Sequence, residues 1–253
     1  RILVGMHASR ERAALLLGCE PSELAKHVGQ AVKNPIAPVV VPAAQAPCQE
    51  QVFYADDPDF DLRKLLPAPT NTPIDAGPFF CLGLVLASDP EDASLTDITI
   101  HRLCVQERDE LSMFLAAGRH IEVFRKKAEE AGKPLPVTIN MGLDPAIYIG
   151  ACFEAPTTPF GYNELGVAGA LRQTPVELVQ GVAVNEKAIA RAEIIIEGEL
   201  LPGVRVEEDQ HTHTGHAMPE FPGYCGEANP SLPVIKVKAV TMRHQAILQT
   251  LVG

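Results

Sequence analysis

A chain of 253 residues can bury a sizeable core, and its net charge of −11, from 32 acidic and 21 basic residues, with no Lys/Arg cluster interleaved with aromatics, argues against the basic surface that nucleic acids and anionic membranes bind. No run approaches the roughly 20 apolar residues that span a bilayer, and no signal-peptide pattern opens the chain, so a cytoplasmic protein with neither a nucleic-acid nor a membrane partner is expected. Six scattered cysteines (Cys19, Cys48, Cys81, Cys104, Cys152, Cys225) without a C-x-x-C pair read as reduced thiols rather than as disulfides or a zinc site.

Arg1-Ile2-Leu3-Val4-Gly5 is already apolar and Ala246 to Val252 ends in strand-like residues, so the chain is expected to belong to a longer protein. Arg10 to Leu17 reads as a helix ending at Gly18. Pro21-Ser22-Glu23 opens a second, with Leu24, His27, Val28 and Ala31 on one face. The proline-rich stretch 34–47 reads as a linker or an extended edge segment. Strand-like runs follow at Gln51–Tyr54, Phe79–Ala87, Asp97–Val105, Val137–Asn140, Ala192–Glu197 and Ile235–Met242.

Two helical stretches interrupt these runs. His120 to Gly132 has Ile121, Phe124 and Ala128 on one side, and Glu164 to Arg172 follows Asn163 as the expected N-cap, with Gly166 and Gly169 permitting close backbone contact. Strands dominate without βαβ alternation, which predicts an α+β barrel rather than a doubly wound sheet. Neither G-x-G-x-x-G after a strand nor G-x-x-x-x-G-K-[ST] occurs, so a Rossmann site or P-loop is not indicated.

Asp97, His120 and Glu164 are hard ligands without a thiolate, the set that suits Mg²⁺ or Mn²⁺. In the run Thr96 to Arg102, alternation puts Asp97, Thr99 and His101 on one face and Ile98, Ile100 and Arg102 on the other. Arg102 reads either as a strand-end Arg paired with a surface carboxylate or as a guanidinium that anchors an anionic ligand. Glu220 lies among Met218, Pro219, Phe221 and Pro222, where desolvation would raise its pKa toward proton exchange; otherwise it caps a turn. His211, His213 and His216 lack the i, i+4 helical spacing of a zinc protease and read as a solvated or substrate-lining loop.

Several segments, in order and separation, resemble the UbiD family of reversible aromatic-acid decarboxylases, which use prenylated FMN. They are Ala76 to Leu84 with Asp89-Pro90, Asp97 to Arg102, Gly118 to Ile121, Pro156 to Glu164 with Gly169, Ala192 to Gly198, and Glu220 to Tyr224. The resemblance runs from about Pro67 to Gly253 and, less sharply, from Arg1.

The resemblance implies a partial N-terminal α/β piece and linker over 1–48, then a split β-barrel of flavin-reductase type over 49–253. It implies a divalent ion, Mn²⁺ or Mg²⁺, held by Asp97, His120 and Glu164 and bridging to the flavin phosphate, and it allows K⁺ as well. Asp97 stands where the family has Asn, which adds negative charge. Cofactor contacts are expected at Thr99, Ile100, His101, Arg102, Arg119, His120, Ala155, Pro156 and Glu164.

The implied catalytic trio is Arg102, Glu220 and an upstream Glu. The family spacing would put that Glu at Gly215, inside an apparent insertion over 210–219, so Glu208, preferred to Glu207, is the substitute. The implied reaction is nonoxidative decarboxylation of a hydroxybenzoate, 3,4-dihydroxybenzoate to catechol and CO₂, with Glu220 as proton donor. A flavin prenyltransferase would supply the cofactor, and the enzyme would be a homo-oligomer, dimer or hexamer. A metal-dependent hydrolase built on Asp97, His120 and Glu164 and a noncatalytic flavin-binding subunit are the alternatives.

Overall fold

The computed structural model describes residues 1–115, 118–220 and 222–251; Phe221, counted above among the neighbours of Glu220, and Val252 and Gly253 at the end of the matched sequence lie outside the described residues. A short strand β1 (Ile2–Leu3) precedes α1 (Arg10–Leu17), which stops at Gly18 as predicted, with a φ of 71° that suits a residue lacking a side chain. After α2 (Leu24–Lys33) the proline-rich stretch is extended at strand β2 (Val39–Val40), an edge segment as one of its two readings has it, and turns once through a 3-10 helix at Ala43–Gln45. Next come β3 (Gln51–Tyr54), α3 (Leu62–Leu65), β4 (Phe79–Ser88), β5 (Thr96–Glu107) and β6 (Glu110–Met113). Then follow α4 (His120–Glu130), β7 (Leu135–Met141), α5 (Pro145–Gly150), α6 (Leu165–Arg172), β8 (Glu177–Gln180) and β9 (Lys187–Ile189). The last elements are β10 (Ile194–Val206), β11 (His216–Pro219), β12 (Cys225–Glu227), β13 (Leu232–Met242) and β14 (Leu248–Gln249).

Strands β10, β7, β4, β5, β6 and β13 pair in that order, and β13 pairs back onto β10, so six antiparallel strands close into a barrel, with β3 added outside on β13. Closure satisfies the backbone groups that an open sheet would expose at its edges. The α+β barrel expected from the sequence is the fold observed. Strand β2 runs parallel to β8 in a separate three-stranded sheet with β9.

One hydrophobic cluster gathers residues of the barrel strands, among them Phe80, Val85, Leu103, Val105, Ile139 and Ile196, and takes in the predicted face of α4, Ile121, Phe124 and Ala128. A second lies between the helices and the outside of the barrel, where Leu84, Leu86, Ile98 and Ile195 meet residues of α5 and α6. Burial of each such side chain stabilises the fold by roughly 1.5–3 kcal/mol. Gly166 and Gly169 do allow close approach. A Cβ on Gly169 would lie 2.5 Å from the Ile36 carbonyl oxygen, and Ile36 N donates to the Gly166 carbonyl at 2.9 Å.

The predicted N-cap of α6 is displaced by one residue: Glu164 occupies the cap position, while Asn163 Oδ1 accepts from Leu165 N at 3.1 Å and Asn163 donates to Thr96 Oγ1. All six cysteines are free; Cys48, Cys81 and Cys104 are buried, Cys19 and Cys225 partly so, and Cys152 is exposed. Among the described residues no helix is long and apolar enough to cross a membrane.

Candidate active site

Strand β5 carries one member of each of two three-residue clusters. Asp97, next to its start, is 2 % exposed, and its Oδ2 accepts from Ile121 N at 2.7 Å, where α4 begins. Helix α4 thus presents His120 as its first residue, while α6 presents Glu164 at its cap. The ligand atoms of Asp97, His120 and Glu164 all lie within 4.8 Å of one another, the one such group of His, Cys, Asp or Glu among the described residues. Two oxygen ligands of one octahedral Mg²⁺ are ~3 Å apart when cis and ~4.2 Å when trans, so small side-chain shifts bring all three groups onto one ion.

Two carboxylates this close and this dry are costly without a cation. Burial, and then the charge of Asp97, pushes the Glu164 carboxyl up to about 8, and burial raises Asp97 against the opposing hydrogen bond from Ile121 N. Glu164 Oε2 is buried with no hydrogen-bond partner among the described residues. A group with unspent acceptor capacity, beside a second carboxylate, an imidazole and two helix N-termini, fits a hard divalent ion and, beyond it, an anion such as phosphate. The His120 ring is held edge-on by Phe160, with centroids 5.3 Å apart.

Five positions along β5, Arg102 donates from Nε to Glu208 Oε1 and from Nη2 to Glu208 Oε2, each at 2.8 Å. Glu208 is 1 % exposed and its Oε2 also accepts from Asn229 N at 3.0 Å; Glu207 is exposed. Of the two upstream acids left open by the sequence, Glu208 is therefore the one that meets Arg102. Glu220 Oε1 lies 3.7 Å from Arg102 Nη1, at the end of β11. Its apolar enclosure is looser than expected: the side chain is 35 % exposed and Pro222 faces solvent, while Met218 is buried.

The remaining expected positions fall around these clusters. Thr99 and His101 are buried and bonded to each other: His101 Nδ1 donates to the Phe114 carbonyl at 3.0 Å, which leaves Nε2 to accept from Thr99 Oγ1 at 2.6 Å. Burial pushes the His101 pKa down to about 4, in keeping with a neutral ring. Ile100 packs against the outer core. Arg119 pairs with Glu154 at 2.9 Å, and Ala155 and Pro156 beside it are exposed.

The His-rich loop is tied down rather than gathered around an ion. His211 Nε2 bonds the Gln106 carbonyl at 2.9 Å, Gln210 donates to Gln106 Oε1, and Gln106 Nε2 donates to the Glu208 carbonyl. Burial pushes the Cys81 thiol, near this site, up to about 12, so it is not an activated nucleophile. Sequence reasoning assigned no role to Gln106, Glu154 or Phe114, whose ring centroid lies 4.4 Å from Arg102 Cζ. The signal for Phe114 was the turn Glu107-Arg108-Asp109-Glu110, which pairs β6 with β5 and brings residue 114 opposite residue 102.

The UbiD family, described as the 3-octaprenyl-4-hydroxybenzoate carboxy-lyase Rift-related domain, matches residues 39–253. Gallate decarboxylase of Lactiplantibacillus plantarum is 54 % identical over 254 residues, covering 100 % of this chain and 52 % of that protein. The apo structure of 3,4-dihydroxybenzoic acid decarboxylase from Enterobacter cloacae is 94 % identical with a TM-score of 0.95, again over 100 % of this chain and 52 % of the other. An evolved dimeric form of the UbiD-class enzyme HmfF from Pelotomaculum thermopropionicum, solved in complex with prFMN, is 34 % identical with a TM-score of 0.89, over 99 % of this chain and 55 % of that one. The chain spans about half the length of the relatives it matches. With both the family match and these full-chain identities, the chain belongs to the UbiD family.

Proposed function

We propose that the full-length protein is a UbiD-type decarboxylase of a hydroxylated benzoate, converting 3,4-dihydroxybenzoate to catechol and CO₂ with prenylated FMN. The observation that carries this reading is the run of β5 that sets Asp97 in a His–Asp–Glu cation cluster and Arg102 between two glutamates. The names of the relatives, a gallate decarboxylase and a 3,4-dihydroxybenzoic acid decarboxylase, support the substrate class, and the prFMN complex of HmfF supports the cofactor.

Asp97, His120 and Glu164 would hold Mn²⁺ or Mg²⁺, and through it the flavin phosphate, with Thr99, Ile100, His101, Arg119, Ala155 and Pro156 around the cofactor. Bound prenylated FMN supplies an electrophilic carbon and an electron sink for loss of CO₂. Glu208 engages Arg102 Nε and Nη2, which leaves Nη1 to orient the substrate carboxylate. Glu220, beside Nη1 and partly open to solvent, delivers the proton that replaces CO₂ on the ring carbon and regains one from water. A cytoplasmic homo-oligomer, loaded by a flavin prenyltransferase, completes the proposal.

The test is full-length protein co-produced with a flavin prenyltransferase and assayed for catechol from 3,4-dihydroxybenzoate. Catechol formation that requires both flavin and metal supports the assignment. Flavin-loaded protein that releases no catechol, or flavin-free protein fully active after metal readdition as a hydrolase would be, overturns it.

A further inference from the structure

Arg102 is held from three sides, and only two of them are acids. Glu208 takes Nε and Nη2 in a bidentate pair, and Glu220 stands 3.7 Å from Nη1. The third is the ring of Phe114, whose centroid lies 4.4 Å from Cζ, within the roughly 6 Å at which a guanidinium is attracted to an aromatic face. The Phe114 main chain is tied to the same strand on both sides: its N–H donates to the Arg102 carbonyl at 3.3 Å, and its carbonyl accepts from His101 Nδ1 at 3.0 Å. The backbone under the ring is thus fixed independently of the side chain, and the ring is the one aromatic group recorded against a cation among the described residues.

A bidentate carboxylate fixes a guanidinium in its own plane, yet the whole plane can still tilt about the axis joining the two groups. A ring packed against its central carbon restricts that freedom. We propose that Phe114 is a positioning residue that sets the tilt of the Arg102 guanidinium and thereby aims Nη1 at Glu220 and the substrate carboxylate. This rests on the decarboxylase reading above. The ring touches no reacting atom; it acts through Arg102.

The test compares Phe114→Leu, which keeps apolar bulk but removes the π face, with Phe114→Tyr, which keeps the face. Both are made in the full-length flavin-loaded enzyme, with turnover of 3,4-dihydroxybenzoate and crystal structures of both variants as readouts. A cation–π contact of ordinary strength predicts that Phe114→Leu lowers kcat by about 2- to 30-fold while Phe114→Tyr restores at least half of it. It also predicts an Arg102 guanidinium tilted away from Glu220 in the Leu variant only.

Equal kcat for Leu and Tyr variants, or an Arg102 unmoved in the Leu structure, overturns the proposal, since a packing role alone treats the two alike. Should the unmodified enzyme not act on 3,4-dihydroxybenzoate, the substrate reading fails, and the two structures still decide the role of Phe114.

Discussion

Arg102 and Glu208, 106 positions apart in the chain, meet through two parallel hydrogen bonds of 2.8 Å, with the carboxylate fully inside the protein. Such a fork is directional as well as strong, because each guanidinium N–H has its own oxygen. Its removal leaves a half-buried cation without its main partner. Glu208→Ala is expected to cost about 1–3 kcal/mol of stability, read from denaturant midpoints, and Glu208→Gln less, since it keeps one acceptor. Loss below 1 kcal/mol for the Ala variant would mean that solvent or Glu220 replaces Glu208 readily.

Glu220 is the acid left accessible beside Arg102. Glu220→Gln keeps the shape but cannot give up a proton, so it is expected to retain flavin and to lose turnover by about 10²- to 10⁴-fold, the usual range for a general acid. Unimpaired turnover would remove Glu220 from the proposed proton transfer.

His101 makes folding pH-dependent in a defined window. Burial holds its folded pKa near 4, below the ordinary histidine value of 6.5, with the hydrogen bond to the Phe114 carbonyl opposing and Arg119 adding to the depression. The unfolded chain therefore binds a proton between pH 6.5 and 4 that the folded chain refuses, so stability is complete above 6.5 and falls as pH drops toward 4, by up to about 3 kcal/mol. Replacing His101 with Gln is expected to flatten that part of the stability profile, measured by urea unfolding across pH 4–7. A slope unchanged by the substitution would assign the dependence to other groups.

The sequence was most legible where local chemistry and tertiary packing agree. Gly18 ends α1, the 3.6-residue face of α4 is the one that packs into the barrel core, and the alternation of β5 separates Asp97 from Arg102 as read. Short strands such as β8, β9 and β12 were not legible, because runs of three or four residues with no clean alternation are fixed by their partners rather than by their own pattern. The choice of Glu208 over Glu207 was open in the sequence because adjacent strand-end residues point opposite ways, and only the register beside Asn229 decides which enters. The neighbours of Glu220 misled in part: Met218 is buried, but Pro222 is near it in sequence and faces outward.

His120→Ala removes the one nitrogen donor of the cation cluster and leaves two buried carboxylates facing each other. Metal and flavin are expected to be lost together from the full-length protein, with metal content read by elemental analysis and flavin by its visible absorbance. Added Mn²⁺ at about 100 times its Kd should raise the stability of the unsubstituted protein by about 2.7 kcal/mol and that of the variant far less. Retention of both metal and flavin by the variant would refute the bridging role.

The claim that Asp97, His120 and Glu164 share one ion is tested most directly by anomalous diffraction at the manganese edge from crystals of the full-length protein grown with Mn²⁺. One strong peak is expected roughly 2.0–2.3 Å from a ligand atom of each of the three side chains. A map whose manganese peaks all lie elsewhere, or touch only one of the three, would contradict it.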